Sequence, residues 1–128
     1  MSLTQNNSPA QTIQTPLQAS MGNLANDFLL GVALSPSAVA ANTTAEQSFA
    51  VAGLAASDLI SINKPSAQAG LGIVGCRAAA NTLYITFSNN TAASITPTAA
   101  ETYLVKVTRA LPQQLTNGLP ATLPLSGD

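Results

Sequence analysis

The sequence predicts an all-β protein, a small β-sandwich or jelly-roll-like domain with extended N- and C-terminal arms. Three observations carry this. Short stretches between Phe28 and Arg109 alternate apolar and polar residues with period two, the pattern of half-buried strands. Turn-forming residues punctuate them at short spacing: Ser35-Pro36, Asn42-Thr43, Gly53, Pro65, Gly70 and Gly72, Asn81, Asn89-Asn90 and Pro97. The two ends are polar or proline-spaced and too poor in apolar residues to build a core. The expected organisation is an extended N-terminal arm over 1–27, a β-sandwich over 28–109 and an extended C-terminal arm over 110–128.

Taken in chain order, the leading arm is rich in Gln, Asn, Thr and Ser and carries Pro9 and Pro16. One local pattern stands out in "TPLQASMG". Thr15 is placed to N-cap, Pro16 to take the first helical position, Gln18 to close a capping box and Gly22 to stop the turn, predicting a short helix near 16–21. Phe28 to Leu34 is apolar on both faces, as a central or sandwiched strand would be. Phe49 and Val51 oppose Ser48 and Ala50. Asp58 to Asn63 turns Ile60 and Ile62 inward and stops before Lys64-Pro65, since proline cannot donate to a ladder. In Ile73 to Ala80, alternation groups Cys76 with Val74, Ala78 and Ala80. Thr82 to Ser88 sets Leu83, Ile85 and Phe87 against Thr82, Tyr84, Thr86 and Ser88. Tyr103, Val105 and Val107 oppose Leu104, Lys106 and Thr108. Beyond Arg109, Pro112, Pro120 and Pro124 are spaced among leucines. Several short strands with no convincing helix among them describe a sandwich.

Composition narrows the function. Only 7% of the 128 residues are charged, against roughly 25% in an average domain. Lys64, Arg77, Lys106 and Arg109 form no basic stripe, so phosphate neutralisation and nucleic-acid binding are not expected. Low charge points to a surface that lies against other protein. Met1 to Ala25 lacks Lys and Arg and reads as unprocessed rather than as a secretory leader. Phe28 to Leu34 is too short to span a bilayer, so no membrane association is expected. The single cysteine offers no internal disulfide, leaving packing or association to supply stability.

Catalytic chemistry has few candidates. The chain has no histidine, which removes Ser/His/Asp and Cys/His nucleophilic pairs and the commonest nitrogen ligand of zinc. Cys76 reads as a buried core thiol, since apolar surroundings raise a thiol pKa and leave it unreactive. Arg77 points to the opposite face and is able to anchor Asp58 or Glu101 within the subunit, or a carboxylate on a neighbour. Asp58, Glu46 and Glu101 are isolated and lack the oxygen-rich loop of a calcium site. "AGLGIVG" has the wrong spacing for a phosphate loop; its glycines suit a turn or bulge. Neither enzymatic activity nor a metal or other cofactor is expected. For a sugar-binding surface, only Tyr84 and Tyr103 are available to stack.

The run from Thr43 to Arg109 resembles a small β-sandwich domain that recurs in structural proteins of tailed-bacteriophage virions. The marks are a strand ending in "VAGL", the "DLISINKP" strand and turn, "AGLGIVGCRA", "NTLYITFSN", "TAASITP" and a closing strand with Tyr103 that ends at Arg109. The glycine usual in the turn after "VAGLA" is replaced by Ser57. The resemblance covers about half of the chain and is strongest to head decoration, or cement, proteins. It implies a homotrimer on the outside of the virion's capsid, made in the host cytoplasm, whose partner is the major capsid protein. The alternative is a tail or fibre adaptor module that contacts another virion protein or a host receptor. The residues assigned to assembly are Arg77, Lys106 and Arg109 on the body and Thr15, Leu17, Met21 and Leu24 on the leading arm.

Overall fold

The computed structural model describes residues 24–111. Six strands run through them: β1 (Leu24–Leu34), β2 (Thr43–Ala50), β3 (Leu59–Asn63), β4 (Leu71–Ala79), β5 (Thr82–Asn89) and β6 (Glu101–Ala110). They form two three-stranded sheets, the first in the order β1-β6-β3 and the second in the order β2-β5-β4. β3 pairs antiparallel with β6, and both β2 and β4 pair antiparallel with β5. The fold is thus the all-β sandwich that the alternation predicts, with no helix among the described residues. No helix there is long and apolar enough to cross a membrane. The predicted helix near 16–21 and most of both predicted arms lie outside the described residues.

Period-two patterning decides which side chains meet between the sheets. β5 buries Leu83, Ile85 and Phe87 completely, and β6 answers from the other sheet with Tyr103, Val105 and Val107. Ile60 of β3, Leu34 of β1 and Ala78 of β4 complete the sheet contribution to this core. Leu30, Val32, Ala45, Phe49, Ile62, Leu71, Ile73 and Cys76 pack around it. Burying a large aliphatic or aromatic side chain stabilises by roughly 1.5–3 kcal/mol, so the eleven such residues buried beside Ala78 form the main favourable contribution here. Asp27–Arg109 make one compact unit, and among the described residues the buried cluster runs from Leu34 to Val107.

Two expectations about strands change. Phe28 to Leu34 is not sandwiched on both faces, and among the described residues β1, which begins at Leu24, lies at the edge of its sheet. Its two-sided apolar character leaves Leu29 70% exposed, because only Leu30, Val32 and Leu34 face the core. The second change concerns β4. Its register against β5 shifts between Ile73 and Gly75, a β-bulge that inserts Val74 as an extra residue. The bulge reverses the phase of the strand, so Ile73 and Cys76 both face inward while Val74 is 62% exposed. Val74 therefore does not share a face with Cys76 and Ala78, and Ala80 lies exposed in the following turn.

The turns follow their residues. Ala80-Asn81 closes the β4–β5 hairpin, with Asn81 at φ 53°, a left-handed conformation that asparagine tolerates. Its N–H donates to Leu54 O (2.9 Å) and its side-chain Oδ1 accepts from Gly53 N–H (2.8 Å), tying that hairpin to the turn after Val51. Gly70 has φ 81°, and a Cβ there would lie 2.1 Å from Thr91 Cγ2, so only glycine fits. Gly72, by contrast, lies within β4 rather than in a turn. Ser57 occupies its turn without a positive φ.

Candidate functional site

The charged residues of the body meet in three ion pairs, each built by strand register. On the outer face of the second sheet, Arg77 of β4 stands opposite Tyr84 of β5. Its guanidinium carbon lies 3.8 Å from the Tyr84 ring centroid. It then reaches Glu46 of β2 in a bidentate pair, Nε to Oε2 at 2.8 Å and Nη2 to Oε1 at 2.9 Å. One arginine thereby spans all three strands. This hydrogen bonding holds the Glu46 carboxyl below its ordinary value and raises Arg77. Both side chains are substantially exposed, so the clasp contributes little to stability and much to the shape of the face. The sequence reading offered Asp58 or Glu101 as partners within the subunit; both are taken by other residues, because β3 and β6 belong to the opposite sheet.

Asp58 is paired with Arg109. Arg109 donates from Nε to Oδ1 at 2.8 Å and from Nη2 to Oδ2 at 2.6 Å, and Nη2 also donates to Gly53 O at 2.8 Å. Ala55 N–H donates to Asp58 Oδ2 at 3.0 Å. The Asp58 side chain has no exposure at all, whereas Arg109 remains about one-third exposed (36%). The Arg109 hydrogen bonds and, secondarily, the Ala55 N–H hold the Asp58 carboxyl below its ordinary value against the cost of burial. Arg109 also lies within 5.8 Å of the Phe28 ring centroid. These contacts lock the turn between β2 and β3 onto the last residues of β6.

The third pair joins Lys64 to Glu101 at 3.0 Å, with both side chains largely buried. Ser66 Oγ–H donates to Glu101 Oε2 and Lys64 Nζ donates to Ser66 O at 2.8 Å. Ser66 first and Lys64 second lower the Glu101 carboxyl.

Of the residues assigned to assembly, Arg77 and Arg109 are both engaged within the chain. Lys106 projects from the outer face of β6 opposite Ser61 and makes no ion pair among the described residues. Leu24 is the first residue of β1. Thr15, Leu17 and Met21 lie outside the described residues. The structure does not bring the three basic residues together: Arg77 belongs to one sheet, Lys106 and Arg109 to the other.

Cys76 is partly buried and packs against the core, with its thiol donating to Ile60 O at 3.4 Å. Burial pushes its pKa up, which disfavours thiolate. Tyr103 is fully buried, so it offers no stacking surface; burial, with the Glu101 charge adding, pushes its hydroxyl up to about 12. Tyr84 is half-buried beneath Arg77. Among the described residues no three His, Cys, Asp or Glu side chains lie close enough to hold a metal ion.

Sequence reasoning missed Glu46 as the partner of Arg77, Tyr84 as its platform, and Asn89. The alternation places Glu46 and Tyr84 on an outward face, but which outward residues are neighbours depends on register. Asn89, read as a turn residue, is buried at the end of β5. Its amide donates to Val39 O (3.0 Å) and Ala93 O (2.8 Å), and its carbonyl accepts from Thr91 N–H (2.9 Å) and Thr91 Oγ1 (2.8 Å). It also borders an open polar cleft of about 420 Å³ lined by Asn42, Thr43, Thr44, Ser88 and Asn90. Those groups are neutral, and the cleft holds no acid, base or nucleophile beyond hydroxyls. Compared with protein-family models, curated proteins and solved structures, the chain has no match.

Proposed function

We propose that this chain is a non-enzymatic structural protein of a tailed-bacteriophage virion, a decoration or cement protein that binds the outside of the major capsid shell and stabilises it. The observation that carries the reading is the use to which the body puts its charges: Arg77, Arg109 and Lys64 are each closed onto a carboxylate of the same chain. What remains outward on the second sheet is a row of hydroxyls, Thr44, Ser48, Thr82, Thr86 and Ser88, around the Arg77–Tyr84–Glu46 clasp. Such a surface is stiff and nearly neutral, suited to lying flat against a protein shell. The resemblance of Thr43 to Arg109 to virion β-sandwich domains supplies the class of partner. In this reading the polar N-terminal residues, with Thr15, Leu17 and Met21, bind the capsid next to Leu24 at the start of β1, and repeated sites offset the entropy of binding them.

Electron microscopy of particles that carry a tagged copy tests the reading. Label over the head, together with earlier genome release on heating when the protein is absent, is the expected result, because a ligand of the closed shell stabilises it by mass action. Label confined to the tail would move the chain to the adaptor reading. Particles without label would end both. Removing residues 1–23 is expected to weaken attachment while leaving the body folded; undiminished attachment would shift the contact to a sheet face.

A further inference from the structure

We propose that the outer face of the first sheet is a self-complementary contact surface whose occupant is the same face of a second copy of this chain. The two outer faces of the sandwich are unlike. Of the exposed large hydrophobic residues among those described, Leu29 (70%), Leu59 (70%) and Leu104 (43%) lie on the outer face of the first sheet and only Val74 on the second sheet, while Phe28 shares the strand phase of Leu30 and Val32 and lies beside Arg109. Leu59 pairs with Thr108, Lys106 with Ser61 and Leu104 with Asn63, which sets the rows of β3 and β6 on this face. β1 crosses β6 so that Thr108 donates to the Asp27 carboxylate at one end, while a Cβ on Gly31 would touch Thr102 (3.2 Å) at the other. Leu29, midway between Asp27 and Gly31, therefore lies beside the Leu104 to Lys106 stretch. The outcome is a leucine-bearing sheet face crossed by the aliphatic stem of Lys106, a surface type that marks protein contact.

Charge selects a second copy as the occupant. Asp27 and Lys106 sit on this face and neither is part of an ion pair within the described residues, in a body whose other charges are all paired. An acid and a base on one patch, each without an ionic partner among the described residues, complement the same patch turned through a two-fold axis, Lys106 of each copy meeting Asp27 of the other. A net charge of −1 opposes the approach of two copies very little. A face-to-face pair of sheets is two-fold, so this contact joins two copies, unlike the trimer that the resemblance implies. The inference goes beyond the capsid reading and does not need it.

Sedimentation velocity and light scattering on the full chain test it, with Leu29→Glu/Leu59→Glu, Asp27→Lys and Asp27→Lys/Lys106→Asp, and with Val74→Glu as a control on the opposite sheet. The wild type and Val74→Glu are expected at twice the 12.9 kDa chain mass. The leucine pair and Asp27→Lys are expected to raise the dissociation constant at least tenfold, and the exchanged charges of Asp27→Lys/Lys106→Asp to restore most of it. Zero-length carbodiimide coupling of mixed isotope-light and isotope-heavy wild-type chains should join Asp27 of one copy to Lys106 of the other, which decides the matter should a variant fail to fold. A wild-type trimer, or a dimer indifferent to these substitutions and free of that cross-link, would overturn the proposed face while leaving the capsid reading intact. A wild-type monomer at all concentrations would overturn self-association altogether.

Discussion

Tyr103 carries the one phenolic hydroxyl in the core, and that hydroxyl has no hydrogen-bond partner among the described residues. A buried polar atom left unpaired costs roughly 1–3 kcal/mol. Tyr103→Phe is therefore expected to raise stability by about 1 kcal/mol in urea titration; a loss of stability would mean that the hydroxyl is satisfied. Asp58 presents the opposite case, a buried carboxylate with every bond made. Glu46, Asp58 and Glu101 are all held below their ordinary values of 4.5, 3.8 and 4.5, so the folded state binds fewer protons than the unfolded state as the medium turns acid. The stability they contribute is present above those ordinary values and is lost as pH falls through the lower, folded ones. Thermal midpoints measured against pH are expected to stay level near neutrality, to begin falling below pH 4.5, the ordinary glutamate value, and to fall more steeply below 3.8, the ordinary Asp58 value. Because Asp58 alone is fully buried, Asp58→Asn should lower the neutral midpoint and flatten the acid limb; an acid limb as steep as the wild type's would assign the effect to Glu46 and Glu101. Cys76, with its pKa pushed up by burial, should react with a thiol reagent far more slowly in the native protein than in denaturant. Equal rates would contradict the packing at this position.

At the scale of single strands, legibility tracks regularity. β5 and β6 alternate without interruption, and every inward residue read from them is fully or almost fully buried: Leu83, Ile85, Phe87, Tyr103, Val105 and Val107. β4 alternates too, but the bulge at Val74 inserts one residue, and a one-residue slip moves side chains to the opposite face. Gly72 and Gly75 flank it, and their presence signalled a turn or bulge without stating where. The phase has a measurable consequence. Ile73→Ala should cost about 1–2 kcal/mol, less than a fully buried isoleucine because Ile73 is only partly covered, while Val74→Ala should change stability by less than about 0.5 kcal/mol. The reverse ordering in a denaturant series would restore simple alternation. β1 is less covered than its two-sided apolar character implies, for a different reason. A strand apolar on both faces is covered on both faces only if something packs there, and composition does not say what.

Across the described residues, the chain passes between sheets at nearly every connection, β1 to β2, β2 to β3, β3 to β4 and β5 to β6, with only the β4–β5 hairpin among them staying within one. Cohesion consequently rests on long-range contacts. Among the described residues the fully buried core lies within residues 34–107, with Leu30 and Val32 packed against it, so a chain trimmed to residues 24–111 should retain strand-dominated circular dichroism and one cooperative unfolding transition. A non-cooperative melt would show that the body depends on the removed residues. Alternation, turn residues and the low charge were enough to determine an all-β sandwich and most of its core, because each is a local property that survives whatever the strands pair with. Tertiary structure alone decided that Arg77 closes onto Glu46 across Tyr84, that Arg109 rather than Arg77 neutralises Asp58, and that Asp27 and Lys106 make no ion pair among the described residues and sit beside exposed leucines. Partners that lie 31 or 51 residues apart in the chain become neighbours through strand order and register. Those are set by the packing of the two sheets together, and no local pattern encodes them.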